Sequence, residues 1–173
     1  MTRTITKKIC MLGDFSVGKT SLVSRYVKAS FSDKYLTTVG VKVDTKVVAL
    51  DDGPEVKFVL WDVAGEKSIG PLQSQYLKGM AGYMLVVDGT RLPTLTSANT
   101  IHQQIVNEYG DLPFCLLINK QDLVEQLEVT DPTLEANQML SWASYRTSAK
   151  TGAEVERAFA GLASQIVNGA HST

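Results

Sequence analysis

Residues 13–20 read Gly13-Asp14-Phe15-Ser16-Val17-Gly18-Lys19-Thr20; they follow the apolar run Ile9-Cys10-Met11-Leu12 and open an amphipathic stretch, 20–29. They meet the pattern G-x-x-x-x-G-K-[ST] without mismatch, in the strand-then-helix setting that gives the pattern meaning. Each residue type has a physical reason to be there. Glycines let the backbone curl until its N–H groups converge on phosphate oxygens, and the start of the next helix adds the positive end of a dipole. Lys19 offers a point charge to β- and γ-phosphates, and the Thr20 hydroxyl is a hard oxygen suited to Mg2+. The reading predicts that Gly13, Asp14, Phe15, Ser16, Val17, Gly18, Lys19, Thr20 and Ser21 surround the phosphates of a bound nucleotide.

Outward from this loop, apolar runs of strand length alternate with stretches of helical period. Runs 9–12, 83–87 and 114–118 are short, nearly continuous and rich in branched residues, as suits central parallel strands covered on both faces. Runs 41–50 and 56–61 flank Asp51-Asp52-Gly53-Pro54, a hairpin signal, so that pair is predicted antiparallel. Helical periodicity marks 20–29, more weakly 71–78, then 94–109, 132–141 and 154–168. Asp131-Pro132 reads as a helix start, with the acid as N-cap and proline in the first turn. The alternation predicts an open α/β sheet with right-handed crossovers. With no internal repeat, low-complexity tract or linker, residues 1–173 are expected to form one domain.

A phosphate loop alone says only nucleotide; the base is read further on. Asn119-Lys120-Gln121-Asp122 follows run 114–118, at the carboxyl end of a sheet where ligands collect. A carboxylate at Asp122 accepts both N1–H and the 2-amino group of guanine. Adenine has no matching donor pair and would leave a buried carboxylate unpaired. Lys120 is placed to lie over the base, and Asn119 either bonds its edge or ties loops together. Ser148-Ala149-Lys150 follows run 142–145, and the Ala149 N–H is a candidate partner for guanine O6; a simple turn before the last helix explains that segment equally well. Asp62-Val63-Ala64-Gly65 comes just after run 56–61, where an acid beside a phosphate loop suits Mg2+, directly or through water, and Gly65 lets the backbone approach a γ-phosphate. Thr38 lies in a polar loop from which its hydroxyl could complete the metal shell.

The bulk numbers exclude several other classes. The chain has 173 residues, 44% hydrophobic and 20% charged, with a formal net charge of −1. Its lysines and arginines are scattered, so no clustered basic surface predicts a nucleic-acid partner. Cys10 and Cys115 each sit in an apolar run and read as buried free thiols suited to a reducing cytosol; neither they nor the isolated His102 and His171 have zinc-ligand spacing. No stretch approaches the roughly 20 apolar residues of a membrane helix. No signal peptide, N-myristoylation pattern or prenylatable cysteine is evident, so the expectation from the sequence is a cytoplasmic location.

With these four loops in this order, the chain resembles the Ras superfamily of small GTPases over nearly its whole length, and the Rab branch most of all. Trp61-Asp62-Val63-Ala64-Gly65 resembles the Rab element W-D-T-A-G, Thr38-Val39-Gly40-Val41 resembles T-I-G-V, and Thr147-Ser148-Ala149-Lys150-Thr151-Gly152 resembles the family's last nucleotide loop. The resemblance implies a three-layer P-loop NTPase fold, a six-stranded mostly parallel sheet with one antiparallel edge pair and five helices. It implies bound GTP or GDP with Mg2+, held by Thr20, Thr38 and Asp62, and hydrolysis of GTP carried by Lys19, Thr38, Gly65 and residue 66. Switch segments at about 33–43 and 62–78 would change with the nucleotide and meet effectors, in a signalling role of the vesicle-trafficking kind. An exchange factor and an activating protein are implied as well, and membrane association if a lipidated tail belongs to the full-length protein. Phe31 falls where the family stacks an aromatic edge on guanine, and Tyr35 where a tyrosine closes over the phosphates. Trp61 and Tyr76 match two of three aromatics that Rabs offer to effectors, and the third position is Val43.

Two departures bear on chemistry. Phe15 stands where the family has glycine, or serine in many Rabs, facing the γ-phosphate and the path of an activating protein's arginine. Glu66 occupies the place of the water-orienting glutamine. Glutamine both donates and accepts, whereas an ionised glutamate only accepts and brings negative charge toward a γ-phosphate. Slow intrinsic hydrolysis is the expectation. The alternatives are Glu66 as a general base, Glu66 turned to solvent, or a largely GTP-locked interaction module with negligible turnover.

Overall fold

In the computed structural model, which describes residues 3–32 and 40–169, six strands form one sheet. They are β1 (Thr4–Gly13), β2 (Val41–Val48), β3 (Glu55–Val63), β4 (Gly82–Asp88), β5 (Phe114–Asn119) and β6 (Ser144–Arg146), in spatial order β2-β3-β1-β4-β5-β6. Every neighbouring pair is parallel except β2–β3, which runs antiparallel with Val48 opposite Val56 beside the hairpin turn. The helices among the described residues are α1 (Lys19–Lys28), α2 (Pro71–Tyr76), α3 (Pro93–Tyr109), α4 (Asp131–Ala136) and α5 (Val155–Gly169), with a 3-10 turn at Val124–Gln126. This is the α/β architecture that the alternation predicts.

Two cores lie on opposite faces of the sheet, and strand alternation sorts the side chains between them. Ile9 and Met11 of β1 join Phe58, Met84, Leu117, Leu22 and Phe159 beneath α1 and α5. Cys10 and Leu12 join Tyr83, Leu85, Ile118, Leu95 and Ile105 beneath α3. All seven residues of β4 are buried, as a central strand covered on both sides requires. Tyr26 of α1 stacks on Phe159 of α5 with ring centroids 3.8 Å apart. Both cysteines are buried and free, and burial pushes the Cys10 thiol up to about 12.

Several boundaries differ from the sequence reading. Strand β1 begins at Thr4, because Thr4–Lys8 pairs in register with Glu55–Val59 although it reads as polar. The ammonium of Lys8 lies 3.8 Å from the centroid of the Trp61 ring and donates to the Lys78 carbonyl at 2.7 Å. Strand β3 extends to Val63, so Asp62 is inside the strand rather than after it. Thr130, not Asp131, caps α4: the Thr130 N–H donates to Thr133 Oγ1 at 2.8 Å and Asp131 is the first helical residue. The same helix ends at Ala136 instead of reaching 141, because Asn137 Nδ2 bonds back to the Thr133 carbonyl at 2.8 Å and Gln138 adopts φ 60°.

Candidate nucleotide site

The loop between β1 and α1 curls through left-handed backbone at Ser16 (φ 60°) and Gly18 (φ 104°). Gly18 is obligatory for packing as well as conformation, since a Cβ there would lie 2.3 Å from Asn119 Nδ2. Three successive loop carbonyls face outward onto groups from other segments. Phe15 O accepts from Arg91 Nη2 at 2.6 Å, Ser16 O from Lys120 Nζ at 3.0 Å, and Val17 O from Asn119 Nδ2 at 3.0 Å. Asp14 is turned away from the loop's concave side: its Oδ1 accepts the Phe15 N–H at 2.6 Å and its Oδ2 accepts Ser97 Oγ of α3 at 2.7 Å. The Asp14 side chain thereby braces the loop named above as surrounding the phosphates. Phe15 is 48% exposed.

Lys19 is buried, and its ammonium spans the loop mouth, donating to Gly13 O at 3.3 Å and Asp14 O at 3.1 Å. Burial pushes its pKa down to about 8, against the upward pull of Asp62, Asp14 and Glu66. Beside it, Thr20 Oγ1 donates to Asp62 Oδ2 at 2.5 Å. Asp62 is 1% exposed, and among the described residues its Oδ1 has no hydrogen-bond partner. Burial raises the Asp62 carboxyl, opposed by the Thr20 hydroxyl and by Lys19. An orphaned carboxylate oxygen next to a hydroxyl is costly in a protein alone and is the donor set a hard divalent cation takes, so these residues fit Mg2+. Thr38 and Tyr35 lie outside the described residues.

On the other side of the loop a cavity of about 370 Å³ is lined by Ser16, Gly18, Ser21, Phe31, Asn119, Lys120, Asp122, Ala149 and Lys150. Residues far apart in sequence and read as one site therefore meet around one cavity. Asn119 is the knot between them. Besides its bond to Val17, its Oδ1 accepts Thr147 Oγ1 at 3.2 Å and the Ala149 N–H at 3.3 Å. The Ala149 N–H, which the sequence reading aimed at guanine O6, is thus engaged with Asn119. Ser148 Oγ donates to Asp122 Oδ1 at 2.8 Å, which orients that carboxylate.

Five residues of this assembly carry no local sequence signal. Asp88, at the end of β4, is bonded by Lys120 at 2.9 Å and Arg91 at 3.1 Å through its Oδ2, and by the Thr90 N–H at 2.8 Å through Oδ1. Burial pushes the Asp88 carboxyl up, but the Thr90 and Lys120 hydrogen bonds together outweigh it and hold it below its ordinary value. Arg25 of α1 fastens the 147–152 loop by donating to Ala149 O at 2.7 Å and Lys150 O at 2.5 Å. Gln104 of α3 grips both polar groups of Ile69, accepting its N–H at 2.7 Å and donating to its carbonyl at 3.2 Å. With Arg91 and Ser97 these complete the set. Each acts across the fold, and only an unusual charge or amide at a strand end or on a helix face would have drawn attention to it.

At segment 62–78, Gly65 packs on the backbone of Asp14 and Phe15, and the Glu66 N–H donates to Gly13 O at 3.1 Å. The Glu66 side chain is exposed and receives a long bond from Gln73 Nε2, 3.4 Å. Trp61 and Tyr76 lie with ring centroids 6.3 Å apart, and Val43 is exposed on β2. Among the described residues no helix is long and apolar enough to cross a membrane.

Comparison with known proteins identifies the family. The model of the Ras family covers residues 8–168. The chain is 33% identical over 171 residues to the Ras-related protein Rab-32A of Dictyostelium discoideum, spanning 92% of this chain and 77% of that one. It is 33% identical over 165 residues to the Ras-related protein RABD1 of Arabidopsis thaliana, covering 92% and 78%. To the GTP-binding protein ypt5 of Schizosaccharomyces pombe it is 31% identical over 170 residues, covering 94% and 79%. The match over residues 8–168 and the identity to these relatives show that the chain belongs to the Ras family, as a Rab-like small GTPase.

Proposed function

We propose that this GTP-binding switch hydrolyses GTP slowly, and that slow turnover sets it apart within its family. Residues 1–173 act as one G domain. The phosphates sit in loop 13–20 with Lys19 across the β- and γ-phosphates, Gly65 N–H toward the γ-phosphate, and guanine lies in the cavity between Phe31, Lys120 and Asp122. Thr20, Asp62 and Thr38 would hold Mg2+, which would neutralise charge on the phosphates. Segments 33–43 and 62–78 respond to the nucleotide, with Tyr35 closing over it, and they carry the effector contacts. The family's exchange factors and activating proteins act on the same segments.

The observation that carries the slow-turnover reading is the pair Phe15 and Glu66. Transfer of this kind depends on positioning and on stabilising charge rather than on covalent help. Glu66 adds a carboxylate whose field reaches Lys19, and it lacks the donor that a glutamine would turn to a phosphate oxygen. Phe15 is half-exposed and its backbone packs against Gly65, and on this reading its phenyl ring obstructs an incoming arginine. An arginine finger contributes up to about 10⁵-fold in this class of reaction, so obstructing it prolongs the GTP state.

Single-turnover hydrolysis of wild type, Phe15→Gly and Glu66→Gln tests the reading. Both variants are expected to be faster than wild type, Glu66→Gln without any helper protein. A wild-type rate equal to that of fast family members overturns it. The same two residues favour a second reading, a GTP-locked interaction module. Nucleotide content of protein purified without added nucleotide separates the two: mostly GTP that stays GTP over days supports the module, and progressive conversion to GDP supports the slow switch.

A further inference from the structure

The outward carbonyls of loop 13–20 are not held equally by residues the family motif explains. Lys120 and Asn119 belong to the base-reading segment, but Arg91, on the turn between β4 and α3, does not. Its guanidinium makes two contacts at once, Nη2 to the Phe15 carbonyl at 2.6 Å and Nε to Asp88 Oδ2 at 3.1 Å. The same Asp88 oxygen takes Lys120 Nζ at 2.9 Å, and that ammonium also holds the Ser16 carbonyl at 3.0 Å. One buried carboxylate therefore anchors two cations, and the two cations hold two consecutive carbonyls of the loop.

A trans peptide points its C=O and the following N–H in opposite directions. Fixing the Phe15 carbonyl outward therefore fixes the Ser16 N–H inward, and fixing the Ser16 carbonyl does the same for the Val17 N–H. Ser16 needs that help, because a non-glycine residue at φ 60° sits in a sparsely populated backbone region. A planar guanidinium with several donors in a fixed fork suits a carbonyl and a carboxylate together, as a single ammonium does not.

We propose that Arg91 is a positioning residue for phosphate binding: it locks the Phe15–Ser16 peptide so that the loop's N–H groups face the nucleotide's phosphates before the nucleotide arrives. The proposal rests on the reading that GDP and GTP phosphates occupy loop 13–20. It predicts a larger effect on phosphate recognition than on recognition of the base, because Arg91 bonds the loop directly at Phe15 and reaches the base cavity only through the Asp88 oxygen it shares with Lys120.

The test compares wild type, Arg91→Met and Arg91→Lys by competition against a fluorescent GDP, using GDP and guanosine as competitors with Mg2+ present. Arg91→Met keeps the length and apolar stem of the side chain and removes its donors. Loss of a charge-assisted hydrogen bond corresponds to about tenfold to a hundredfold weaker GDP binding. Guanosine binding is expected to stay within about twofold, and Arg91→Lys to restore only part of the GDP loss. Equal weakening of GDP and guanosine overturns the proposal, since it signals general loosening of the site. Unchanged GDP binding in Arg91→Met overturns it as well, and so does slowed hydrolysis with GDP affinity intact, which puts Arg91 on the reacting phosphate. Failure of the wild type to bind GDP defeats the underlying reading, and it is visible in the wild-type titration before any variant is compared.

Discussion

Replacing Asn119 by alanine removes three hydrogen bonds that together join three loops: to the Val17 carbonyl at 3.0 Å, from Thr147 Oγ1 at 3.2 Å and from the Ala149 N–H at 3.3 Å. Asn119 is 2% exposed, so water does not readily replace the lost partners. At about 1 kcal/mol net per bond, with the two longer bonds weaker, the loss is about 2 to 3 kcal/mol. For a urea m-value of about 2 kcal/mol/M, the unfolding midpoint drops by about 1 to 1.5 M with m unchanged. Bound GDP adds its own stabilisation to whichever protein binds it better. Unfolding is therefore measured at several GDP concentrations: the concentration dependence reports affinity, and the nucleotide-free limit reports the knot itself. Thr147→Val, which deletes one bond and keeps the shape, is expected to cost about 1 kcal/mol. The double variant should cost less than the sum, because Thr147 loses nothing further once Asn119 is gone. A nucleotide-free midpoint shift below about 0.3 M for Asn119→Ala, or strict additivity in the double variant, refutes the view that this side chain ties the site together.

Asp62→Asn removes a buried carboxylate whose Oδ1 has no partner among the described residues. The metal- and nucleotide-free protein should melt higher than wild type, while GDP release should lose its acceleration by EDTA; equal acceleration in both proteins argues against Asp62 as a metal ligand. Gly65→Ala places a Cβ 2.7 Å from Phe15 Cα and 2.8 Å from Asp14 O, both backbone atoms, so segment 64–66 must lift from the loop. Single-turnover hydrolysis is expected to fall by about a hundredfold with GDP affinity within about threefold, and an unchanged rate would show that this approach has no part in turnover. His102 is held neutral by burial, with Nδ1 2.8 Å from the Tyr83 hydroxyl, so its folded pKa lies below 6.5 despite the opposing Asp111. Its contribution to stability is complete above pH 6.5 and is lost as pH falls toward the lowered folded value. Melting temperatures across that range should fall less steeply for His102→Gln, and identical slopes would rule the assignment out.

Much of this molecule is legible in the chain because local chemistry and global topology agree. The G-x-x-x-x-G-K-T pattern, the apolar strands at 83–87 and 114–118 and the segment Asn119–Asp122 each follow from residue types a few positions apart. What escaped depends mostly on contacts between distant segments, and in one case on a local side-chain bond. Thr4–Lys8 looks like a polar leader because its lysines hide a strand that only β3 completes. Helix α4 stops early because Asn137 finds a carbonyl four residues back, a competition that apolar period does not register. The brace on the loop at Asp14 depends on Ser97, 83 positions away. Arg91 and Asp88 are two charges in an unremarkable turn until β4 delivers them beside Phe15 and Lys120.

The contact between Lys8 and Trp61 gives the protein an optical property. The chain has two tryptophans, and they occupy contrasting settings. Trp61 lies under the Lys8 ammonium and near the Tyr76 ring, at the root of segment 62–78, which the proposed function makes nucleotide-responsive. Trp142 is packed with His102 and Phe114 at the far edge of the sheet. Indole emission is sensitive to a neighbouring charge, so a shift of segment 62–78 alters the light from one tryptophan and spares the other. If segment 62–78 moves as proposed, intrinsic emission should report nucleotide state with its own internal reference, and replacing Trp61 by phenylalanine should silence the signal while leaving the reference in place.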